Sequence, residues 1–316
     1  MKKPELLAPA GNIDSLKAAV AAGCDAVYLG GYTFGARSFA GNFSDEEIVD
    51  AIKYCHLRKV KVYVTVNTLI HEDRFNMCID YIDFLHKNNV DAIIVQDVGL
   101  MDYVRKVFPN LEVHASTQMH LHNLEGVDFV KNLGLKRAVI ARETPISVIR
   151  DIKDKCDIEL EVFVHGALCV SYSGQCLMSS MIGGRSGNLG NCSQCCRMKY
   201  DFISDGEKKN KGKYPLSTKD LNTLEYIGQL IEAGVDSLKI EGRMKRPEYV
   251  YMVTKLYRKA IDNYFLYNDT KVTDADIEEL MLLFNRKFTK GFLFDEDMNN
   301  FTHSFRPNHM GIKIGK

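Results

Sequence analysis

The chain has 316 residues, of which 46% are hydrophobic and 26% are charged, and its 41 basic residues balance 41 acidic ones. This composition suits a globular protein with a sizeable core, and the neutral charge provides no general attraction to nucleic acid. No apolar run approaches the roughly 20 residues of a membrane helix, and Met1-Lys2-Lys3 leads straight into a strand-like segment instead of a signal sequence. We therefore expect a cytoplasmic protein with neither a membrane nor DNA as its partner.

Short runs of aliphatic and β-branched residues recur along the chain, and an amphipathic segment of helical length follows most of them. This alternation is typical of parallel strands joined by crossover helices. Polar caps and closing glycines mark several of the helices, as at Asn12 and Gly23, Ser44, and Gly234. The pattern predicts an α/β protein, a (β/α)8 barrel of the TIM type, with strands at 5–10, 26–31, 60–67, 92–97, 112–117, 137–143, 159–166 and 237–242.

The C-terminal ends of the strands and the loops that follow them form the active face of such a barrel. The polar residues at these ends are Asn67, Gln96, Asp97, His114, Gln118, Arg142, Glu143, His165, Glu241 and Arg243. Among them we select His165, Glu143 and Glu241 as candidate catalytic residues, and Asn67 and Gln118 as candidate substrate contacts. The alternative is that each of them only caps a strand or pairs with a neighbour.

The seventh predicted strand is followed by a connection of about fifty residues to a predicted helix near Lys219, whereas βα loops usually have roughly two to six. This loop, at about 167–218, contains five of the nine cysteines, namely Cys169, Cys176, Cys192, Cys195 and Cys196. Disulfides are not expected in a reducing compartment, and thiolate-rich ligand sets select zinc or iron-sulfur clusters over hard cations. We expect an iron-sulfur cluster, with zinc or simple cysteine packing as alternatives. The other cysteines lie in helical, apolar surroundings typical of packing residues: Cys24, Cys55, Cys78 and Cys156.

A glycine-rich segment with the sequence GGRSGNLG occupies residues 183–190 of the same loop. Its glycines allow backbone N–H groups to approach an anion, and Arg185 can pair with a carboxylate or a phosphate. A tight loop that wraps a metal site would explain these glycines equally well. Candidate anion contacts are Arg185, Arg197, Arg243 and Lys245, although ordinary ion pairing would also explain each of them.

The last predicted helices lie around residues 249–264 and 274–284, and a strand-like segment follows at 311–314. We therefore predict a barrel domain over residues 1–300, with the truncated start of a C-terminal β element at 301–316.

Several segments carry a resemblance to a known family. The sequence EVFVHGALC at 161–169, followed by GQCLMS at 174–179, resembles the signature of the peptidase U32, or collagenase-like protease, family. The similarity extends from ELLAPAG at 5–11, through RSGN at 185–188 and STKDL at 217–221, to KIEGRMK at 239–245. It covers nearly the whole chain, and family chains usually continue into a small β-barrel domain.

The resemblance implies more than the family name does, because relatives act in oxygen-independent hydroxylation. They hydroxylate tRNA wobble uridine to 5-hydroxyuridine with prephenate, a ribosomal RNA cytidine, or ubiquinone precursors. The leading hypothesis is accordingly an RNA-modifying enzyme with tRNA as its partner and a 4Fe-4S cluster and prephenate at its site. A paralogous protein partner, or a role as scaffold for another hydroxylase, is a further alternative. The last alternative is a U32-type peptidase with Cys169 as nucleophile and His165 as base.

Carried over by position, the resemblance makes Cys169, Cys176 and Cys192 cluster ligands. The cysteine that often follows Lys-Asp-Leu in relatives is replaced here by Asn222. Cys196 matches a family cysteine, whereas Cys195 stands where relatives commonly have proline. We expect Cys196 to be the fourth ligand, with Cys195 as the alternative.

Overall fold

The computed structural model of the chain describes residues 1–37, 40–209, 214–294 and 300–302. Eight parallel strands form its centre, and each pairs with its neighbour in chain order. The last of them pairs with both the first and the seventh, which closes the ring and confirms the predicted (β/α)8 barrel. The strands are β1 (Glu5–Pro9), β2 (Ala26–Leu29), β3 (Lys61–Val66), β4 (Ala92–Val95), β5 (Glu112–Ala115), β6 (Arg137–Val139), β7 (Glu159–Ala167) and β8 (Ser237–Ile240).

Helices join the strands and cover the outside of the barrel. They are α1 (Ile13–Ala21), α2 (Asp45–His56), α3 (Phe75–Lys87), α4 (Val98–Val107), α5 (Leu124–Asn132), α6 (Ile146–Lys155), α7 (Met178–Gly183), α8 (Ile227–Glu232), α9 (Pro247–Tyr267) and α10 (Asp274–Leu282). None of those in the described part of the chain combines the length and the apolar character that crossing a bilayer requires.

The caps recognised in the sequence form as expected. The Asn12 side chain accepts a hydrogen bond from the Ser15 amide at 2.8 Å at the start of α1. Ser44 and Glu47 form a reciprocal capping box at the start of α2. Gly23 follows α1 with φ of +88°, a left-handed conformation that glycine adopts without steric cost. Local sequence therefore determines where these helices begin and end.

Buried ion pairs occupy the N-terminal half of the barrel interior, where branched aliphatic side chains are the usual filling. Arg137 contacts Glu5 at 2.5 Å, Glu159 at 2.9 Å and Glu161 at 3.2 Å. Glu161 also contacts the Lys239 amine at 2.6 Å. We call these five residues the interior ion network. Each carboxylate in it contacts at least one cation, and Lys136 at the edge of the network lies 3.3 Å from Glu159, so the three carboxylates face three cations.

The insertion after β7, residues 168–219, is called the cysteine loop. It contains α7 and a small hairpin of the strands Ile203–Ser204 and Glu207–Lys208. It ends in the strand Asp220–Asn222, which runs antiparallel to the end of β7. The expected helix near Lys219 is therefore wrong, because this segment pairs with the part of β7 that extends past the barrel. The next helix, α8, begins only at Ile227.

The C-terminal part agrees with the two predicted helices, since α9 and α10 cover the predicted segments. The short strand Phe288–Thr289 then pairs in parallel with Asp220 and Leu221. Thr302 forms an isolated bridge with Thr218. The predicted C-terminal β element at 301–316 lies almost entirely outside the described residues and stays a prediction.

Candidate active site

The cysteine loop folds over the C-terminal ends of the barrel strands and encloses a cavity of about 450 Å³, called the mouth cavity. Side chains of the strands form its base, among them Tyr28, Phe163 and Lys239. Its rim consists of loop residues, including Cys169, Cys176, Cys192, Cys195 and Cys196. All five clustered cysteines thus face the open end of the barrel, where such folds place their active sites.

The mouth cavity is strongly cationic. Among the described residues that line it, Glu241 is the only carboxylate. A concave surface with this excess of positive charge attracts anions, because its walls exclude water and weaken the screening of its charges. The cations are Arg37, Arg142, Arg197, Lys239, Arg243, Lys245 and Arg286.

Glu241 holds two of these arginines together. Its Oε2 atom lies 2.8 Å from Arg142 Nη2 and 3.5 Å from Arg37 Nη2. Burial by itself would raise the pKa of Glu241, but Arg37, Arg142, Lys239 and Arg243 outweigh burial and lower it. The Arg142 guanidinium also stacks on the Phe163 ring at 3.9 Å. Glu241 is therefore an ionised carboxylate that orients two guanidinium groups in the cavity.

Arg243 is held deeper in the wall. Its Nη2 donates to Asn42 Oδ1 at 2.6 Å and its Nη1 to Thr65 Oγ1 at 3.1 Å. Its Nε has no hydrogen-bond partner among the described residues. Burial lowers its pKa to about 10, so the guanidinium is charged at neutral pH. A buried donor without a partner is costly unless a ligand accepts from it.

The cysteine thiols surround the cavity instead of converging on one point. In the described parts of the chain, no three His, Cys, Asp or Glu side chains stand close enough to bind a single metal ion. Burial raises the pKa of the Cys169 thiol, and the nearby Cys176 and Cys192 thiols raise it further. The Cys169 thiol is therefore protonated at neutral pH in this form, and metal binding there would have to release its proton.

Cys196 and Cys195 differ in their surroundings. Burial raises the pKa of Cys196 to about 11, and although Arg197 opposes the rise, Cys169, Cys192 and Cys176 add to it. Cys196 is thus close enough to these three sulfurs for them to influence its pKa. Cys195 is buried beside two hydroxyl groups, with its sulfur 3.1 Å from Ser193 Oγ and 3.9 Å from Ser179 Oγ.

Arg197 ties the cysteine loop to its own base. Its guanidinium donates to Leu168 O at 3.1 Å, to Ser217 Oγ at 3.0 Å, and to both the carbonyl and the hydroxyl oxygen of Thr218. It lines the cavity, as the prediction of a substrate contact requires. Both of its Nη atoms, however, already donate to the loop, so positioning the loop is the role that its contacts support.

Glu143 performs a similar task at the start of the loop. Its carboxylate accepts from the Ser173 amide at 2.5 Å and from the Ser173 hydroxyl at 2.9 Å, and it lies 3.0 Å from His120. The adjacent Gly174 has φ of +75°, and a Cβ atom there would lie 2.1 Å from the Gln118 carbonyl oxygen. The loop therefore needs glycine here to approach the barrel. Glu143 contacts the loop and lies outside the lining of the mouth cavity.

His165 also lies outside the mouth cavity. It is buried behind the wall, where its Nδ1 is 3.2 Å from the Tyr257 hydroxyl and its ring packs against Tyr249 and Phe288. Burial lowers its pKa to about 3, so the imidazole is neutral. Asn222, which replaces the family cysteine, accepts from Tyr257 at 3.3 Å on the same side. The structure thus separates His165 from Cys169 and the other thiols.

The other candidates divide into two groups. Asn67 and Gln118 line the cavity, and the Gln118 side chain donates to the Asn67 carbonyl at 3.0 Å. Lys245 lines it too, with its amine 3.2 Å from the Phe284 ring centroid, and burial lowers its pKa to about 8. Those outside the lining are Arg185, which is exposed, Gln96, Asp97, which caps α4, and His114, which is buried in the barrel interior.

The strand-end survey missed Arg37, Lys239 and Arg286. Arg37 lies eight positions after the end of β2, and Arg286 comes from the segment after α10. Lys239 lies inside a strand instead of at its end, and a lysine between Leu238 and Ile240 of a fully buried strand is the one signal that identifies it from sequence. The other two need the three-dimensional arrangement of distant loops.

Comparison with known proteins agrees with the sequence resemblance. The chain matches peptidase family U32 over residues 11–302. It is 44% identical over 299 residues to tRNA hydroxylation protein P1 of Bacillus subtilis strain 168, covering 92% of this chain and 71% of that protein. It is 42% identical over 259 residues to 23S rRNA 5-hydroxycytidine synthase of Escherichia coli strain K12, covering 82% of this chain and 39% of that protein.

A solved structure shows the same fold. The U32 peptidase Mk0906 superposes with a TM-score of 0.52 at 15% identity, covering 75% of this chain and 92% of that one. The family match includes both the barrel and the cysteine loop that together enclose the mouth cavity. The chain therefore belongs to peptidase family U32.

Proposed function

We propose that this protein is an RNA-modifying enzyme that hydroxylates a nucleobase, and that its substrate is the wobble uridine of tRNA, converted to 5-hydroxyuridine. The observation that carries the proposal is the mouth cavity, where five thiols meet a cationic wall at the active end of a barrel. Two relatives named for RNA hydroxylation, one acting on tRNA and one on 23S rRNA, support this class of reaction.

We further propose that Cys169, Cys176, Cys192 and Cys196 hold a 4Fe-4S cluster. Four thiolates are the usual ligand set of such a cluster, whose several iron atoms allow the ligands to surround it. Cys176 and Cys192 raise the pKa of Cys169, and all three raise that of Cys196, which supports this set of four neighbouring sulfurs. Cys195 does not contribute to either shift, and its sulfur lies 3.1 Å from the Ser193 hydroxyl. When bound, the cluster would supply electron transfer beside the substrate. The backbone N–H of Gln194, which donates to the Cys192 sulfur at 3.4 Å, would stabilise the thiolate charge there.

The cationic wall suits an oxygen-donating carboxylate compound, for which we propose prephenate. Arginine binds carboxylates through two parallel N–H donors, which fixes orientation as well as position. Arg142 and Arg37 are already oriented by Glu241, and Arg243 keeps one donor without a partner among the described residues. The Phe163 and Tyr28 rings provide apolar surface beside them. In this proposal Arg142, Arg37 and Arg243 bind and orient the donor, while the cysteine loop excludes water.

The peptidase alternative receives less support from the geometry. A cysteine nucleophile needs a base within hydrogen-bond reach to remove its proton. His165 lies behind the cavity wall and bonds to Tyr257 instead, and burial raises the pKa of the Cys169 thiol. The cysteine at the cavity and the proposed histidine base therefore do not form a pair in this arrangement.

Two measurements test the proposed function. Anaerobically purified protein should contain iron and sulfide, and deletion of its gene, in a strain without a paralogue, should remove 5-hydroxyuridine from tRNA as seen by nucleoside mass spectrometry. Unchanged 5-hydroxyuridine would reject the tRNA assignment, and ribosomal RNA would then be analysed in the same way. Activity of the purified single chain would exclude the role of a scaffold subunit.

A further inference from the structure

A second cavity of about 270 Å³ lies beside the mouth cavity and is called the side cavity. The loops after β2 and β3 and the cysteine loop form it, and its lining includes Tyr32, Phe34, His71, Arg74 and Leu189. The two cavities adjoin along the chain, because Leu189 precedes Gly190 of the mouth cavity and Thr68 of the side cavity follows Asn67. Consecutive residues of the same two segments thus contribute to both linings, which places the two cavities side by side.

Phe34 forms the inner wall of the side cavity in an unfavourable backbone conformation. Its φ is +61°, a left-handed value that is rare for a bulky side chain. The Thr68 hydroxyl donates to the Phe34 carbonyl at 3.2 Å and helps to hold this turn. The buried ring lies 4.9 Å from the Arg74 guanidinium. Strain of this kind persists where the surrounding structure enforces it, and it is concentrated at binding and active sites.

Three polar side chains of the side cavity are available to a ligand. Within the described ranges, the side chains of Tyr32, His71 and Arg74 form no hydrogen bond or ion pair with other residues. Tyr32 is 67% exposed, a large value for an aromatic side chain. The cavity thus combines an exposed ring, an imidazole and a guanidinium supported by an aromatic wall.

We propose that the side cavity binds an unpaired nucleotide of the RNA, adjacent in the strand to the nucleotide that enters the mouth cavity. Proteins recognise single-stranded RNA by stacking its bases on aromatic or arginine side chains, and arginine also pairs with phosphate. Tyr32 would stack on the base and Arg74 would contact the phosphate. The inference rests on the proposed function, because it assumes that RNA is the substrate.

The test measures binding of a fluorescently labelled RNA hairpin with an unpaired loop, by anisotropy at fixed salt. Stacking contributes roughly 1–3 kcal/mol per base, so we expect Tyr32→Ala to weaken binding about 5- to 150-fold. Tyr32→Phe keeps the ring and should bind like the unmodified protein. Arg74→Ala should weaken binding and also reduce the dependence of log K on log salt by roughly 0.7 for one lost contact to a single strand.

Matched controls lie at the opposite end of the barrel. Tyr267, at the end of α9, is 57% exposed, close to the value for Tyr32. Arg58, just after α2, stacks on the Tyr54 ring at 3.7 Å, as Arg74 does on Phe34. Tyr267→Ala and Arg58→Ala should leave RNA affinity unchanged.

The outcomes separate this inference from the proposed function. If the unmodified protein binds the hairpin and Tyr32→Ala and Arg74→Ala bind it equally well, the inference is rejected while the proposed function stands. If these variants keep RNA affinity but raise KM for the carboxylate donor, the side cavity serves the small molecule and the inference is again rejected. If the unmodified protein binds no RNA hairpin, single strand or ribosomal fragment, both fail.

Discussion

The barrel contains buried charges at both ends, but the two ends treat them differently. In the interior ion network, Glu5, Glu159 and Glu161 each contact Arg137, and Lys239 completes the pairing. In the mouth cavity, seven cations and a single carboxylate, Glu241, line the surface among the described residues. Two of the seven have partners outside the lining, since Lys239 pairs with Glu161 and Arg286 with Asp220. The first set is paired within the protein, whereas the mouth cavity keeps five further cations beside one carboxylate.

This difference separates a structural from a functional role better than burial does. In a paired network, each charged group has its partner within the protein, so the network requires no ligand. An unbalanced set in a cavity raises the energy of the empty protein, and a bound anion lowers it again. Variants at the mouth should therefore change cofactor and substrate binding, while variants of the interior ion network should change stability.

The largest effect is expected at the thiols. Cys169→Ser should reduce iron and sulfide to background and abolish RNA hydroxylation, because a serine hydroxyl is a poor substitute for a soft thiolate ligand. Cys156→Ala, at a buried cysteine that ends α6 and does not line the mouth cavity, should keep both. Iron and sulfide analysis with nucleoside mass spectrometry measures the outcome. Full iron content in the Cys169 variant would contradict the assignment of Cys169 as a ligand of the cluster.

The same assay distinguishes the two adjacent cysteines. Cys196→Ala should lose iron, since Cys196 lies close enough to Cys169, Cys176 and Cys192 for these sulfurs to raise its pKa. Cys195→Ala should retain it, because its sulfur contacts the Ser193 and Ser179 hydroxyls. The reverse result would make Cys195 the fourth ligand.

The next effect concerns the interior ion network. Arg137→Met leaves Glu5, Glu159 and Glu161 without their shared cation, and breaking a buried ion pair in this way costs about 3–5 kcal/mol. Urea denaturation should show this loss in the free energy of unfolding. Iron content and KM of the protein that remains folded should be unchanged. A variant of normal stability with altered KM would contradict the division between the two ends.

A smaller effect is expected at Arg142. Arg142→Ala should raise KM for the carboxylate donor roughly 10- to 100-fold, because a hydrogen bond to a charged group contributes about 1.5–3 kcal/mol. Arg142→Lys should recover only part of the loss, since lysine lacks the two parallel donors. Arg150→Ala, at an exposed position of α6, serves as the control. An unchanged KM would exclude the arginine pair from donor binding.

The smallest effect is a dependence on pH. Burial lowers the pKa of Lys245 to about 8, so its positive charge is present at pH 7 and largely lost at pH 9. Anion binding that uses this charge should weaken a few-fold, on the order of one screened ion pair, over that range. Lys245→Met should bind more weakly at pH 7 and lose this part of the pH dependence. Anion affinity is measured at pH 7 and pH 9 for both the unmodified protein and Lys245→Met. The same change of affinity with pH in both proteins would contradict the role of Lys245.

Much of the fold is readable from local sequence. Runs of aliphatic residues identified all eight barrel strands, and caps such as Asn12 and Ser44 identified helix starts. The antiparallel return of Asp220–Asn222 was not readable, because its partner on β7 lies about fifty residues away along the chain and strand pairing at that separation leaves no local pattern.

The orientation of His165 shows where prediction of the site stopped. Glu161 and Phe163 point into the barrel, and the two-residue period of a strand predicts the same for His165. The pairing of β7 with β8, however, shifts register between Lys239 and Ile240, so that Phe163 and His165 face consecutive residues. A bulge of this kind redirects the following side chain. His165 consequently contacts α9 through Tyr257, which sequence periodicity does not indicate.

The cysteine loop leaves and rejoins the fold at one place, where Asp220 pairs with Ala167. Closing a loop costs free energy that grows slowly with its length, by about 0.6 kcal/mol for each doubling. Changes of length within the loop therefore have little effect on the free energy of closure, and they leave the register of the eight strands untouched. In the evolution of the family, the cysteine loop can therefore change independently of the barrel. Its metal-ligating residues and the way it covers the mouth cavity can diversify while the barrel stays the same.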